Sequence, residues 1–195
     1  LVPKAPKFVT KPGQWSYRVG SVGAAADDVD VKLVIRSGPI PTNTSSLKIQ
    51  PFLASAQYKA VDIQPALNTM RTIYEQAGIS LEILDSIELI EEEFQSVSSN
   101  FSDVVTSQLI NKGIAGQVNL FFVDDQTDGS SLGRSAGIPG SLGITGHRNG
   151  VLIFLSIHKI GDTLDSNLLS ETTAHEMGHF LGLYHTTEKN GFTHD

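Results

Sequence analysis

The feature that most restricts this chain is residues 173–185, Thr-Ala-His-Glu-Met-Gly-His-Phe-Leu-Gly-Leu-Tyr-His. The pattern is His-Glu-x-x-His-x-x-Gly-x-x-His. In a helix, His175 and His179 stand one turn apart and leave the same face. Two neutral imidazoles so placed can hold one zinc ion at roughly 2.0–2.1 Å. Glu176 points about 100° around the helix from His175. That direction puts its carboxylate near the ion without making it a ligand, where it can act as a base towards water. Gly182 lets the backbone turn sharply, which ends the helix and swings His185 back as a third ligand. Three protein ligands leave a fourth position open, the arrangement of reactive zinc sites and not of closed structural ones.

These residues resemble the zinc helix of the metzincin clan of metallopeptidases. The resemblance implies that His175, His179 and His185 are zinc ligands and that Glu176 is the catalytic general base. It implies a zinc-dependent endopeptidase that hydrolyses peptide bonds with a zinc-activated water, acts on protein or peptide substrates, and is secreted or extracellular. Within the clan, the tail from His185 to Gly191 is most similar to the pappalysin-like group. The clan places a methionine-containing turn downstream of the third histidine, whereas the methionines here are Met70 and Met177. The resemblance therefore covers the upper part of such a domain, residues 28–195, with its C-terminal part expected to lie beyond. A zinc-containing binding or adhesion domain without turnover is the alternative.

Composition narrows the partners. A net charge of −7 with scattered Lys and Arg excludes the basic face that nucleic acid or an anionic membrane requires. No stretch reaches the roughly 18–20 apolar residues of a membrane span. The absence of cysteine removes disulfides and thiolate metal sites.

The rest of the chain reads as alternating strands and helices. Residues 1–27, with Trp15 and Tyr17, form an irregular arm or linker. Residues 30–36 read as a strand, and residues 44–60 are ambiguous. Residues 62–77 carry Ile63, Leu67, Met70, Ile73, Tyr74 and Ala77 at helical spacing, with Gly78 as the stop. A strand with an extension follows at 79–90, then an acidic loop (Glu91, Glu92, Glu93). A short helix at 101–112 has Ser102 or Asp103 as its cap. Residues 118–123 and 151–156 are apolar throughout, as strands covered on both faces must be. Asp165 or Ser166 caps the zinc helix. His147, His158 and His194 read as loop or core residues. The order predicts an α/β fold: a twisted, mostly parallel sheet with a backing helix and the zinc helix.

Between the last two strands lie residues 124–150, crowded with glycine; a loop this long is usually functional. In the resembled clan the sheet-edge strand that clamps substrate lies here, which makes Leu132, Gly133, Arg134, Ser135, Ala136, Gly137 and Ile138 the candidate substrate-binding residues. An exposed edge binds an extended peptide by adding it as a strand. Asp124, Asp125 and Asp128 are weaker candidates for a calcium (Ca2+) site, beside the expected Zn2+, because the helix–loop–helix calcium pattern is not matched.

Overall fold

The computed structural model describes residues 45–146 and 148–185. The expected arm at 1–27, the strand at 30–36, His147, His194 and the tail beyond His185 lie outside these residues. In chain order the elements are β1 (Ser45–Ala54), α1 (Ala60–Glu75), β2 (Ile79–Ile83), β3 (Ile87–Glu88), β4 (Ser96–Val97), α2 (Val104–Ile110), β5 (Val118–Val123) and β6 (Asp125–Gln126). They continue with β7 (Gly133–Ser135), β8 (Val151–Phe154), β9 (Lys159–Ile160), β10 (Thr163–Leu164) and α3 (Ser166–Phe180).

One sheet organises them, in the order β2-β1-β5-β8-β7, with β3 also on β1. Every pairing in it is parallel except that of β7 with β8. Alternation along the strands sorts side chains into two cores. Ile49, Leu53, Leu120, Phe122 and Ile153 face α1 and α3, where they meet Leu67, Met70, Leu169, Met177 and Phe180. Phe52, Phe121, Leu152 and Phe154 face the other way, towards α2 and Phe94. There the Phe52 and Phe121 rings stack with centroids 4.7 Å apart. Because both faces are covered, β5 and β8 are buried at every residue.

The expected mostly parallel α/β sheet is present, and the segment read as ambiguous proves to hold one of its interior strands. β1 runs between β2 and β5 although it contains Lys48, Gln50 and Pro51. A proline inside a central strand is unusual because it lacks a donor for the ladder. Here Ile49 O accepts from the Leu84 amide and Leu53 O from the Leu89 amide. Pro51, midway between them, faces the same neighbour. It does so where β2 has ended at Ile83 and β3 has not begun. The Gln50 side-chain amide fills that gap, donating to Pro51 O at 3.0 Å and Asp85 O at 2.8 Å. A break in the neighbouring strand thus accommodates the proline.

The helices follow their sequence signals with shifted ends. α1 starts at Ala60, buries Ile63, Leu67, Met70 and Tyr74, and leaves Ile73 partly exposed. Gly78 has φ +72° just beyond it. α2 is shorter than its expected span and is capped by Asp103, whose carboxylate accepts from the Val105 and Thr106 amides. Asp165 caps α3 in the same way, through the Asn167 and Leu168 amides. Tyr74 of α1 donates its hydroxyl to Ala174 O of α3 at 2.8 Å, which ties the two helices side by side one residue before His175.

Candidate metal centre and peptide edge

The end of α3 builds the centre. After Phe180 the Gly182 amide donates to His179 O and the Leu183 amide to Gly178 O. Gly182 takes φ +101°, a backbone conformation in which a side chain would be strained. These two bonds satisfy carbonyls that the helix end would otherwise orphan. The chain then doubles back, bringing His185 beside the two helical histidines.

The three Nε2 atoms form a nearly equilateral triangle. His175 and His179 are 3.0 Å apart, His179 and His185 3.0 Å, and His175 and His185 2.9 Å. A tetrahedral set at ~2.0–2.1 Å from a zinc ion would have edges of about 3.3 Å, so the spacing fits with a small outward adjustment. The donor chemistry agrees. His179 Nδ1 lies 2.8 Å from Leu183 O. A carbonyl only accepts, so Nδ1 carries the proton and Nε2 presents its lone pair to the centre of the triangle. A proton shared between rings serves two nitrogens at a time, whereas a cation serves all three. His179 is buried, His185 half-buried and His175 exposed, so the centre opens towards solvent.

Glu176 is buried. With His175 it lines a cleft of about 390 Å³ whose other wall is Ser131, Leu132 and Gly133. The histidines also border a larger, mostly apolar hollow of about 670 Å³ beside Tyr74, Leu183 and Tyr184. β7 forms the upper rim. It is the outermost strand, antiparallel to β8, with Gly133 opposite Ile153 and Ser135 opposite Val151. A Cβ on Gly133 would lie 2.9 Å from Glu176 Cγ and 2.9 Å from Leu152 O. The strand thus rests on the glutamate with no room for a side chain.

Of the seven candidate edge residues, Gly133, Arg134 and Ser135 are in β7. Leu132 O accepts from the Phe154 amide and the Ala136 amide donates to Gly150 O, so the pairing with β8 extends one residue each way. Gly137 and Ile138 leave the ladder: Gly137 O accepts from the Ser135 hydroxyl and Ile138 O from the Tyr184 hydroxyl. The three aspartates do not converge with one another. Asp124 accepts from the Ser55 hydroxyl and the Ala56 amide, and Asp128 from Ser98, Ser99 and Gln126. The Ser98 hydroxyl and Ser99 amide hold the Asp128 carboxyl well below the usual carboxylate range. Among the described residues, the histidine triad is the one group of three or more His, Asp or Glu side chains placed to hold a metal ion.

Two contributors carried no signal in the pattern of the sequence. Gln126 accepts from both the amide (2.8 Å) and the hydroxyl (2.9 Å) of Ser131, at the lip of the cleft. His158, expected in a loop or core, is fully buried. Its Nδ1 donates to Phe154 O at 2.8 Å, and its Nε2 lies 2.9 Å from the hydroxyl of Thr172, a cleft residue. Burial pushes its imidazole below the ordinary range, against the pull of Phe154 O and Asp165.

Fold and site together define an α/β protein with three histidines placed to hold a metal ion beneath a sheet edge. The sequence pattern of the reprolysin-like metallopeptidases, family M12B, matches residues 60–186, well over half of the chain, and the chain belongs to that family. An extracellular metalloprotease of Podospora anserina is 25% identical over 178 residues, which cover 88% of this chain and 56% of that protein. The chain thus spans little more than half the length of that relative. Among solved structures, archaemetzincin from Methanopyrus kandleri aligns with a TM-score of 0.48 at 13% identity, covering 77% of this chain and 81% of that one. No helix among the described residues is long and apolar enough to cross a membrane.

Proposed function

We propose that this chain is the zinc-binding part of an extracellular endopeptidase, with His175, His179 and His185 as ligands, Glu176 as general base and β7 as the peptide-binding edge. The observation that carries the reading is the triangle of three Nε2 atoms at 2.9–3.0 Å, next in the chain to a buried glutamate that β7 overlies. Family membership supports zinc-dependent peptidase chemistry, and the name of the Podospora relative supports an extracellular setting. Protein or peptide is the corresponding substrate class.

Bound zinc would polarise the scissile carbonyl and acidify a water. The chain's own residues do the rest. β7 offers backbone groups to an extended peptide, which docks as a further strand. Gly133 allows that peptide to approach Glu176 closely. Glu176 takes a proton from the attacking water and delivers it to the leaving amine. With no side chain at Gly133 and a short one at Ser135, the rim stays low enough for a main chain to lie across it.

Glu176→Ala tests the base assignment. Removing a general base costs about 10²–10⁴-fold, so kcat/KM on casein or a derived peptide should fall by about that factor. Zinc content by emission spectroscopy should stay at the wild-type level. Cleavage at the wild-type rate would remove Glu176 from the mechanism, and a wild-type protein that binds zinc but cleaves nothing would favour a binding domain.

A further inference from the structure

The edge strand is three residues long, and before Leu132, which leads into it, the chain runs Asp128-Gly129-Ser130-Ser131. That stretch offers no apolar side chain to a core, so polar bonds must place it. β6 leaves the main sheet and pairs in parallel with β4, Ser96 opposite Asp125 and Val97 opposite Gln126. From that platform two side chains reach forward. Gln126 Oε1 accepts from the Ser131 amide and hydroxyl. Gln126 Nε2 donates to Asp128 Oδ1 at 2.8 Å, which fixes the orientation of the amide group. Asp128 is anchored in turn by the Ser99 amide at 2.8 Å and the Ser98 hydroxyl. Thr106 of α2 completes the anchor by donating to Ser98 O.

The relay runs from α2 through Ser98, Asp128 and Gln126 to Ser131, and two residues later comes Gly133, packed on Glu176. We propose that Gln126 and Asp128 are positioning residues for the peptide-binding edge, setting the height of β7 above Glu176 and hence the fit of an extended substrate. The proposal rests on the peptidase reading for its consequence, but its mechanical part, that the relay holds the strand, stands by itself. Neither residue touches the reacting atoms. At the lip Leu132 is partly exposed and Gly133 has no side chain, so apolar packing offers little to replace them.

Two readouts on the full chain test this, both on Gln126→Ala with Ser131→Ala beside it. The first is amide hydrogen exchange. Exchange over residues 131–135 should accelerate about tenfold, the scale of one or two neutral hydrogen bonds, while residues 118–123 in the sheet interior keep their protection. Ser131→Ala retains its amide donor and should show a smaller change. The second is steady-state cleavage of two peptides with the same scissile bond, one long enough to pair along β7 and one too short. In the wild type the long peptide should have the lower KM; in Gln126→Ala that advantage should shrink about tenfold, with KM changed more than kcat.

Unchanged exchange over residues 131–135 overturns the proposal whatever the kinetics show. So does an equal loss on both peptides that tracks a lowered melting midpoint, since that is a stability effect alone. Should the wild type cleave neither peptide, the peptidase reading falls, and the exchange measurement still decides whether the relay holds the strand.

Discussion

The two halves of the candidate site are built by opposite means. The histidine triad is local: its three side chains lie within eleven residues, and one helix with one turn brings them together. The peptide edge is assembled from afar, with β7 paired to β8, pressed on α3 and held at its leading end by side chains from Ser98 to Ser131. The contrast teaches where precision is stored. On the metal side it lies in helix geometry, which a few residue types specify. On the peptide side it lies in side-chain hydrogen bonds between loops, each modest in net worth.

The largest expected effect tests the local half. His185→Ala should lower zinc affinity by at least about a hundredfold, since even partners that only orient a ligand are worth about 10–100-fold. Helix content by circular dichroism should hold, because Asp165 and the bonds to Gly178 and His179 carbonyls cap α3 without that imidazole. Zinc bound as tightly as before would remove His185 from the ligand set.

Next comes the point where the halves meet. Gly133→Ala puts a Cβ 2.9 Å from both Glu176 Cγ and Leu152 O. Overpacking of this kind costs about 1–3 kcal/mol, read as a lower denaturant midpoint, and a displaced Glu176 should reduce kcat more than it raises KM. If both the midpoint and kcat are unchanged, the strand does not press on the glutamate and the halves are independent.

The smallest effect concerns the wall behind the cleft. Burial depresses the His158 pKa, so as pH falls the unfolded chain takes up the proton first. Its contribution to stability is complete above about pH 6.5, the unperturbed value, and declines as pH drops below it. Urea midpoints measured from pH 7.5 to 5.5 should therefore fall, and His158→Gln should flatten the slope. A variant with the wild-type slope would show that another group governs it.

Much of this was legible beforehand, and the physics says why. A four-residue spacing has one meaning on a helix, and Gly182 marks the turn after it, so the convergence of His175, His179 and His185 could be read directly. Apolar runs such as Val118–Val123 have few homes other than a covered strand. β1 escaped because Gln50 and Pro51 break its apolar pattern; Gln50 is tolerated in the interior through two bonds that only the folded chain supplies. β7 is too short to display a period of two. The Ser98–Asp128–Gln126 relay joins residues about thirty apart, with α2 and β5 between them, and no periodicity links the partners.

Pro51 carries a consequence for the register of one edge of the sheet. Shifting β1 by two residues keeps its side chains on their proper faces, so hydrophobic sorting alone does not forbid that slip. The imino acid does: moved out of its gap, it would confront a carbonyl of β2 or β3 with nothing to donate, leaving that acceptor without its ladder partner. A single ring thus acts as a detent that holds β1 in one register against β2 and β3.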